Sequence, residues 1–164
     1  MSEAVDVWLA AKEREPGARA GSLATYQGRA GHIRAYFGTT PVRAVRPEHL
    51  TRFTTALLEE GYAPATVQGI YAALTSALRH AQRRGVIAAL PLPPDGPGIP
   101  TPRARTPALT LAQVETIIGE MPGVWGKVAE LALLTGCRWG ELVAIEEGDI
   151  DGAVLHVRRP QTRG

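Results

Sequence analysis

Thr135-Gly136-Cys137-Arg138-Trp139-Gly140-Glu141-Leu142 lies between two apolar helical runs, Val128 to Leu134 before it and Leu142 to Ile145 after it. A Thr-Gly pair in that position reads as a helix stop followed by a tight re-entry. Arg138 then falls at the start of the second helix, where free backbone N–H groups and the positive dipole end favour an anion. Its guanidinium adds a planar fork that matches two phosphate oxygens. Glu141, three residues on, faces the same side and is placed to hold that guanidinium. Local physics alone is equally served by an ordinary helix–turn–helix corner carrying a weak surface ion pair.

Working outward, Leu109-Thr110-Leu111 opens the unit that contains this corner. Thr110 reads as an N-cap, with Gln113 completing a capping box, and Leu111, Val114, Ile117 and Ile118 form an apolar stripe. A second helix is expected around Trp125 to Leu134 and a third over Trp139 to Glu147. Asp149 and Asp151 read as turn residues around Ile150. Ala153 to Arg158 reads as one short strand, rich in β-branched residues. Such a strand leaves an unpaired edge and the helices an uncovered apolar face, so self-association or disorder is expected after Leu111.

Upstream, residues 91–108 form a proline-rich linker: Pro91, Pro93, Pro94, Pro97, Pro100, Pro102 and Pro107, with Gly96 and Gly98. That composition predicts an extended, semi-rigid segment outside any packed core. Arg103 and Arg105 put positive charge along it, suited to a DNA backbone or simply to solvent.

Four helical patterns precede the linker, over residues 1–90. The first runs from Ala4 to Lys12 and stops before Pro16-Gly17. The second is capped by Ser22 and carries Leu23, Tyr26, Ala30, Ile33, Tyr36 and Phe37, with Gly38 closing it. Gly28 and Gly31 inside it are expected to permit close packing. Pro47 starts the third, whose buried stripe is Leu50, Phe53, Thr54, Leu57 and Leu58, ending at Gly61. The fourth opens at Pro64-Ala65-Thr66 and ends at Gly85, its core face made by Val67, Ile70, Tyr71, Leu74, Ala77, Leu78 and Ala81. Its other face offers Gln68, Ala72, Thr75, Arg79, Gln82 and Arg83. Small and amide side chains followed by arginines suit a helix lying in a major groove, touching bases and then phosphate. A solvated helix face is the plain alternative.

Charge follows the same division. Between Arg19 and Thr110 there are 11 basic against 4 acidic residues, and from Leu111 onward 5 against 8, so the small net charge of +2 hides a basic first half. A polyanionic partner, nucleic acid foremost, fits that half. At 45% apolar and 21% charged, with no apolar run near the ~20 residues a bilayer span needs, the composition is that of a globular protein rather than a membrane one. The acidic start, Met1 to Asp6, lacks the order of a signal peptide. Cys137, the one cysteine, has no disulfide partner and no zinc-ligand neighbours, which points to a cytoplasmic setting and a small buried side chain beside Arg138.

Thr135 to Leu142 resembles the first-arginine motif of the tyrosine recombinases, the phage-integrase family. The resemblance extends to Leu23-x-x-Tyr26 with Ile33 to Phe37-Gly38, to Gly61-Tyr62-x-Pro64-x-Thr66, to Leu74-x-x-x-Leu78-x-x-Ala81, and to Arg84-Gly85-Val86-Ile87. One departure is Ala88-Ala89-Leu90-Pro91, where the family often has an Asn-Pro pair. The resemblance implies a mainly α chain: a four-helix, SAM-like core-binding domain over residues 1–90, the linker over 91–108, and the N-terminal part of a truncated α/β integrase catalytic domain over 109–164. It implies DNA recombination and integration by the intact protein, with a tyrosine hydroxyl attacking a phosphodiester while arginines, a lysine and a histidine stabilise the transition state. Arg138 matches the first arginine and Glu141 its supporting acid. Thr66, Gln68, Thr75, Arg79, Arg83, Arg84, Arg103 and Arg105 become the candidate DNA contacts.

The lysine, the His-x-x-Arg box and the nucleophilic tyrosine of the family have no counterpart here. Lys12 and Lys127 are misplaced, His80 with Arg83 matches the box only in letters, and Tyr26, Tyr36, Tyr62 and Tyr71 all precede the linker. The expectation is therefore a DNA-binding fragment, inactive alone, with no cofactor or metal. Its expected partners are double-stranded DNA and other recombinase protomers. The alternative is a non-catalytic helical regulator that occupies a recombinase site or protomer interface. A plain protein-interaction bundle would show no DNA affinity.

Overall fold

The structure, a computed structural model, describes residues 1–100 and 107–158. Among them the chain is mainly helical, and it divides into two units, Met1–Arg103 and Ala104–Gly164.

The first unit is built on four helices: α1 (Ser2–Glu13), α2 (Ala20–Phe37), α3 (Pro47–Glu59) and α4 (Pro64–Arg83). Their apolar residues recur at 3–4 spacing, and those positions are the buried ones: Val5, Trp8 and Leu9 on α1, Ala30, Ile33 and Phe37 on α2, Leu50, Phe53 and Leu57 on α3. The core face of α4 is Val67, Ile70, Ala73, Leu74, Ala77, Leu78 and Ala81. Phe37 and Phe53 meet at 5.2 Å between ring centres, and Trp8 meets Tyr26 edge-on at 5.5 Å. The Trp8 indole N–H donates to Ser76 Oγ at 3.0 Å, joining α1 to α4 while satisfying a polar group on a buried ring.

Helix ends follow their chemistry. Pro47 and Pro64 sit at first helical positions, where the missing N–H costs nothing. After α4, Gly85 takes φ +71°, and the N–H groups of Gly85 and Val86 return to the carbonyls of Gln82 and Ala81, the paired bonds of a Schellman close. α2 starts at Ala20 with Arg19 as N-cap, not at Ser22: Ser22 N–H and Leu23 N–H both bond the Arg19 carbonyl. Nothing between Arg19 and Ser22 breaks a helix, so it runs back almost to the Pro16-Gly17 stop. Gly28 and Gly31 are not packing sites either, since a Cβ at either would meet nothing within 4 Å.

Residues 91–100 correct the linker expectation. Leu92 and Ile99 pack against the first unit's core, and Thr54 Oγ1 donates to the Pro97 carbonyl at 2.6 Å. The prolines explain how: they carry no N–H to satisfy, so an extended run with apolar residues between them can lie on an apolar surface.

The second unit holds α5 (Leu111–Glu120), α6 (Val124–Thr135), the single turn α7 (Trp139–Leu142), and two strands, β1 (Ile150–Asp151) and β2 (Val154–Leu155). Thr110 caps α5 with the reciprocal Gln113 bonds read from the sequence, Gln113 N–H to Thr110 Oγ1 at 3.4 Å and Thr110 N–H to Gln113 Oε1 at 2.9 Å. Gly126 is buried where α6 crosses α5; a Cβ there would stand 3.0 Å from the Ile118 carbonyl.

α7 is shorter than the helix expected over Trp139 to Glu147. After Leu142 the bonds tighten to i→i−3, Ala144 N–H to Glu141 and Ile145 N–H to Leu142, a geometry that does not propagate. The single strand expected over Ala153 to Arg158 is instead a two-residue hairpin, antiparallel, pairing Ile150 with Leu155 and Asp151 with Val154. Gly152, φ +58°, occupies the first turn position, where a two-residue loop favours glycine. Asp149 is buried, its carboxylate accepting from the Glu146 N–H at 3.1 Å and pairing with Arg158 at 3.5 Å.

The two units differ in their cores. Every buried hydrophobic side chain among the described residues lies between Met1 and Ile87. From Leu109 onward the large apolar groups are open: Leu134 is 76% exposed, Val124 63% and Trp139 54%. Among the described residues no helix is long and apolar enough to cross a membrane.

Candidate nucleic-acid interface

Helix α4 packs against α1, α2 and α3. The remaining face carries a stripe of Ala65, Gln68, Ala72, Arg79 and Arg83, all exposed, with a gap of two turns between Ala72 and Arg79 where Thr75 is buried and Ser76 half-buried. From Ala65 to Arg83 the stripe is about 27 Å long at 1.5 Å per residue. Its first half is small or amide and its second half is cationic. Among the described residues neither Arg79 nor Arg83 has a salt-bridge partner, unlike Arg34, whose guanidinium is paired with Asp6. Arg79 is felt nearby: burial pushes the Tyr71 phenol above its usual pKa, and the Arg79 charge partly offsets that.

Not every residue named from the sequence belongs to this stripe. Thr75 does not: it is buried, and its hydroxyl donates to the Ala72 carbonyl at 3.0 Å within the helix. A threonine can turn its methyl to the core and satisfy its hydroxyl on its own backbone, so it sits equally well where the wheel places a polar residue. Ala73, left off the core face in the sequence reading, is buried instead. Thr66 is exposed in the first turn but projects roughly 130° around the helix from the stripe, at 100° per residue. Arg84 is exposed as the C-cap. Gln82 is half-buried, with its amide on the Ala88 carbonyl at 3.3 Å. Arg103 and Arg105 lie outside the described residues.

His80 lies toward α1, off the stripe. Its Nε2 is inaccessible and has no hydrogen-bond partner among the described residues. Burial holds its pKa below the usual histidine value, and Arg83, Arg84 and Lys12 push the same way.

In the second unit, Gly136 ends α6 in the left-handed region at φ +67°, and Arg138 is the N-cap of α7. Glu141 accepts from the Arg138 backbone N–H at 2.8 Å and from its Nη1 at 3.1 Å. The Arg138 backbone N–H, then its guanidinium, hold the Glu141 carboxyl below the usual carboxylate range. The N–H at this corner is therefore occupied rather than free, and one turn of helix has little dipole to offer. What remains for an anion is the guanidinium, on a side chain 88% exposed, with one of its five N–H donors committed to Glu141. Cys137 beside it is half-buried rather than buried.

Two residues escaped the sequence reading. Arg29, half-buried on α2, lies over Gly69 of α4, where a Cβ would come within 2.8 Å of its Nη2. The available signal is a glycine in mid-helix, which Gly69 shares with Gly28 and Gly31. No protein-family model, curated protein or solved structure matches the chain.

Proposed function

We propose that this chain is a duplex-DNA-binding portion of a site-specific tyrosine recombinase, with the first unit as its core-binding domain and Arg138 as a phosphate ligand. The observation that carries the reading is the open stripe of α4, where Gln68 and two alanines precede Arg79 and Arg83 and no acid among the described residues neutralises either arginine. Small and amide side chains can approach base edges, and unpaired arginines supply phosphate contacts that release counterions. Arg138, with one edge of its guanidinium fixed by Glu141, is an ordered donor for a phosphate oxygen and suits charge that develops during phosphoryl transfer. No metal or organic cofactor enters this reading. Strand cleavage is not assigned to these residues: the four tyrosines all belong to the first unit, Tyr26 and Tyr71 against its core.

A second reading is a non-catalytic regulator that engages recombinase protomers. The open apolar side chains from Leu109 onward favour it, since exposed apolar surface of that kind marks protein contacts.

Fluorescence anisotropy with generic duplex DNA across a salt series tests the first reading. The expected result is roughly micromolar binding that weakens steeply with salt, and a slope of log K against log salt smaller by about 1.8 in Arg79→Ala/Arg83→Ala, for two lost phosphate contacts. Absence of binding at low salt refutes DNA binding as this chain's own activity and leaves the protomer reading.

A further inference from the structure

We propose that Arg29 is an additional contact to the DNA backbone, set in place by the missing side chain of Gly69, so that positive charge flanks the α4 stripe at both ends. The inference rests on the DNA-binding reading and deepens it, because it fixes how α4 would sit relative to the two strands.

The seat is steric. A Cβ at Gly69 would stand 2.8 Å from Arg29 Nη2, 3.1 Å from Cζ and 3.2 Å from Nε. All three atoms crowd the position a Cβ would take, so the guanidinium lies against α4 at Gly69. Any other residue at 69 would force this end of the flexible Arg29 side chain to shift from its place. Glycine is otherwise a poor choice there, since it weakens a helix interior.

No acid among the described residues neutralises this charge. Among the described residues the Arg29 guanidinium has no hydrogen-bond or ion-pair acceptor, whereas Arg34, farther along α2, is paired with Asp6, and Arg43 donates to the Val86 carbonyl at 2.8 Å. A half-buried, unpaired guanidinium is costly, and an external anion relieves that cost.

The spacing fits a duplex. Gly69 is about 15 Å from Arg79 and about 21 Å from Arg83 along the helix axis, and a B-DNA major groove is about 12 Å wide. A helix crossing the groove would bring Arg29 to the phosphates of one strand and Arg79 with Arg83 to those of the other. The uncharged turn at Ala72 would then lie over base edges.

The test is the salt series repeated for four variants of the full chain. Arg29→Ala should lower the salt slope by about 0.9, one phosphate contact. Gly69→Ala keeps every charge and favours the helix, yet should weaken binding by displacing the guanidinium. Arg29→Ala/Gly69→Ala should bind no worse than Arg29→Ala. Arg52→Ala, which removes an exposed arginine from α3, should leave the slope unchanged. Where alanine at 29 loosens α2, seen as a lower melting temperature, Arg29→Gln replaces it.

Binding by the wild type with an unchanged slope in Arg29→Ala overturns this inference alone. An equal loss in Arg52→Ala overturns it too, since only net charge would then matter. Full binding by Gly69→Ala overturns the seat. No binding by the wild type overturns both this inference and the reading beneath it.

Discussion

Breaking the bond between Trp8 and Ser76 tests the packing that presents α4. Trp8 is 1% exposed, and its indole N–H donates to Ser76 Oγ at 3.0 Å. Ser76→Ala leaves that N–H buried without a partner, at a cost of about 1–3 kcal/mol. Trp8→Phe removes the same bond and also empties part of the indole volume, so about 2–3 kcal/mol is expected. The double variant loses the bond only once, giving a coupling energy of about 1 kcal/mol between the two positions. For a unit of this size each kcal/mol corresponds to roughly 4–8 °C in Tm. Urea unfolding followed by far-UV circular dichroism is the assay, because the tryptophan itself is altered. A Ser76→Ala cost under about 0.5 kcal/mol, or strict additivity in the double variant, would show that water satisfies the indole and that α1 is not pinned to α4 by this contact.

Three further outcomes follow from the same structure. His80 is held below its usual pKa chiefly by burial, so the folded form disfavours its protonation; stability should be full above about pH 6.5 and decline as pH falls below it, and His80→Gln should flatten a urea-midpoint profile over that range, whereas an unchanged profile contradicts the assignment. Glu141 titrates below the usual carboxylate range because it accepts the Arg138 N–H; an NMR titration should show this, the capped corner should persist above about pH 4.5 and be lost as pH falls through the depressed value, and an ordinary titration would mean the cap is not formed. The open apolar groups of the second unit predict concentration-dependent association in analytical ultracentrifugation, reduced by Val124→Lys/Leu134→Lys; a monomer at every concentration refutes it.

The first unit was legible because its physics is periodic. Leu50, Phe53 and Leu57, or Val67, Ile70, Leu74 and Leu78, announce a buried face by spacing alone, and Pro47, Pro64 and Gly85 punctuate the helices by local sterics. The Thr110–Gln113 box was legible for the same reason: a cap lies within four residues. Thr75 and Ala73 were misplaced because both sit at the edge of the core face, where tertiary contacts rather than spacing decide burial. The path of residues 91–100 was hidden because proline content predicts extension but not what an extended chain lies against. α7 and the hairpin were misjudged because short elements have too few residues for a period, and the turn at Gly152 outweighed the β-branched run after it. Of the candidate interface, Gln68, Arg79 and Arg83 share the stripe expected for them. Arg29 could not be placed from the sequence, since its position depends on which helix crosses it and on a missing side chain at 69.

The most direct measurement is a two-dimensional amide NMR titration of the labelled chain with a short duplex. The largest shifts should fall on Gln68, Ala72, Arg79 and Arg83, with the Arg29 side-chain Nε–H moving alongside them. Shifts concentrated on the exposed face of α3, or no shift at saturating low-salt DNA, would contradict a duplex seated on the open stripe of α4.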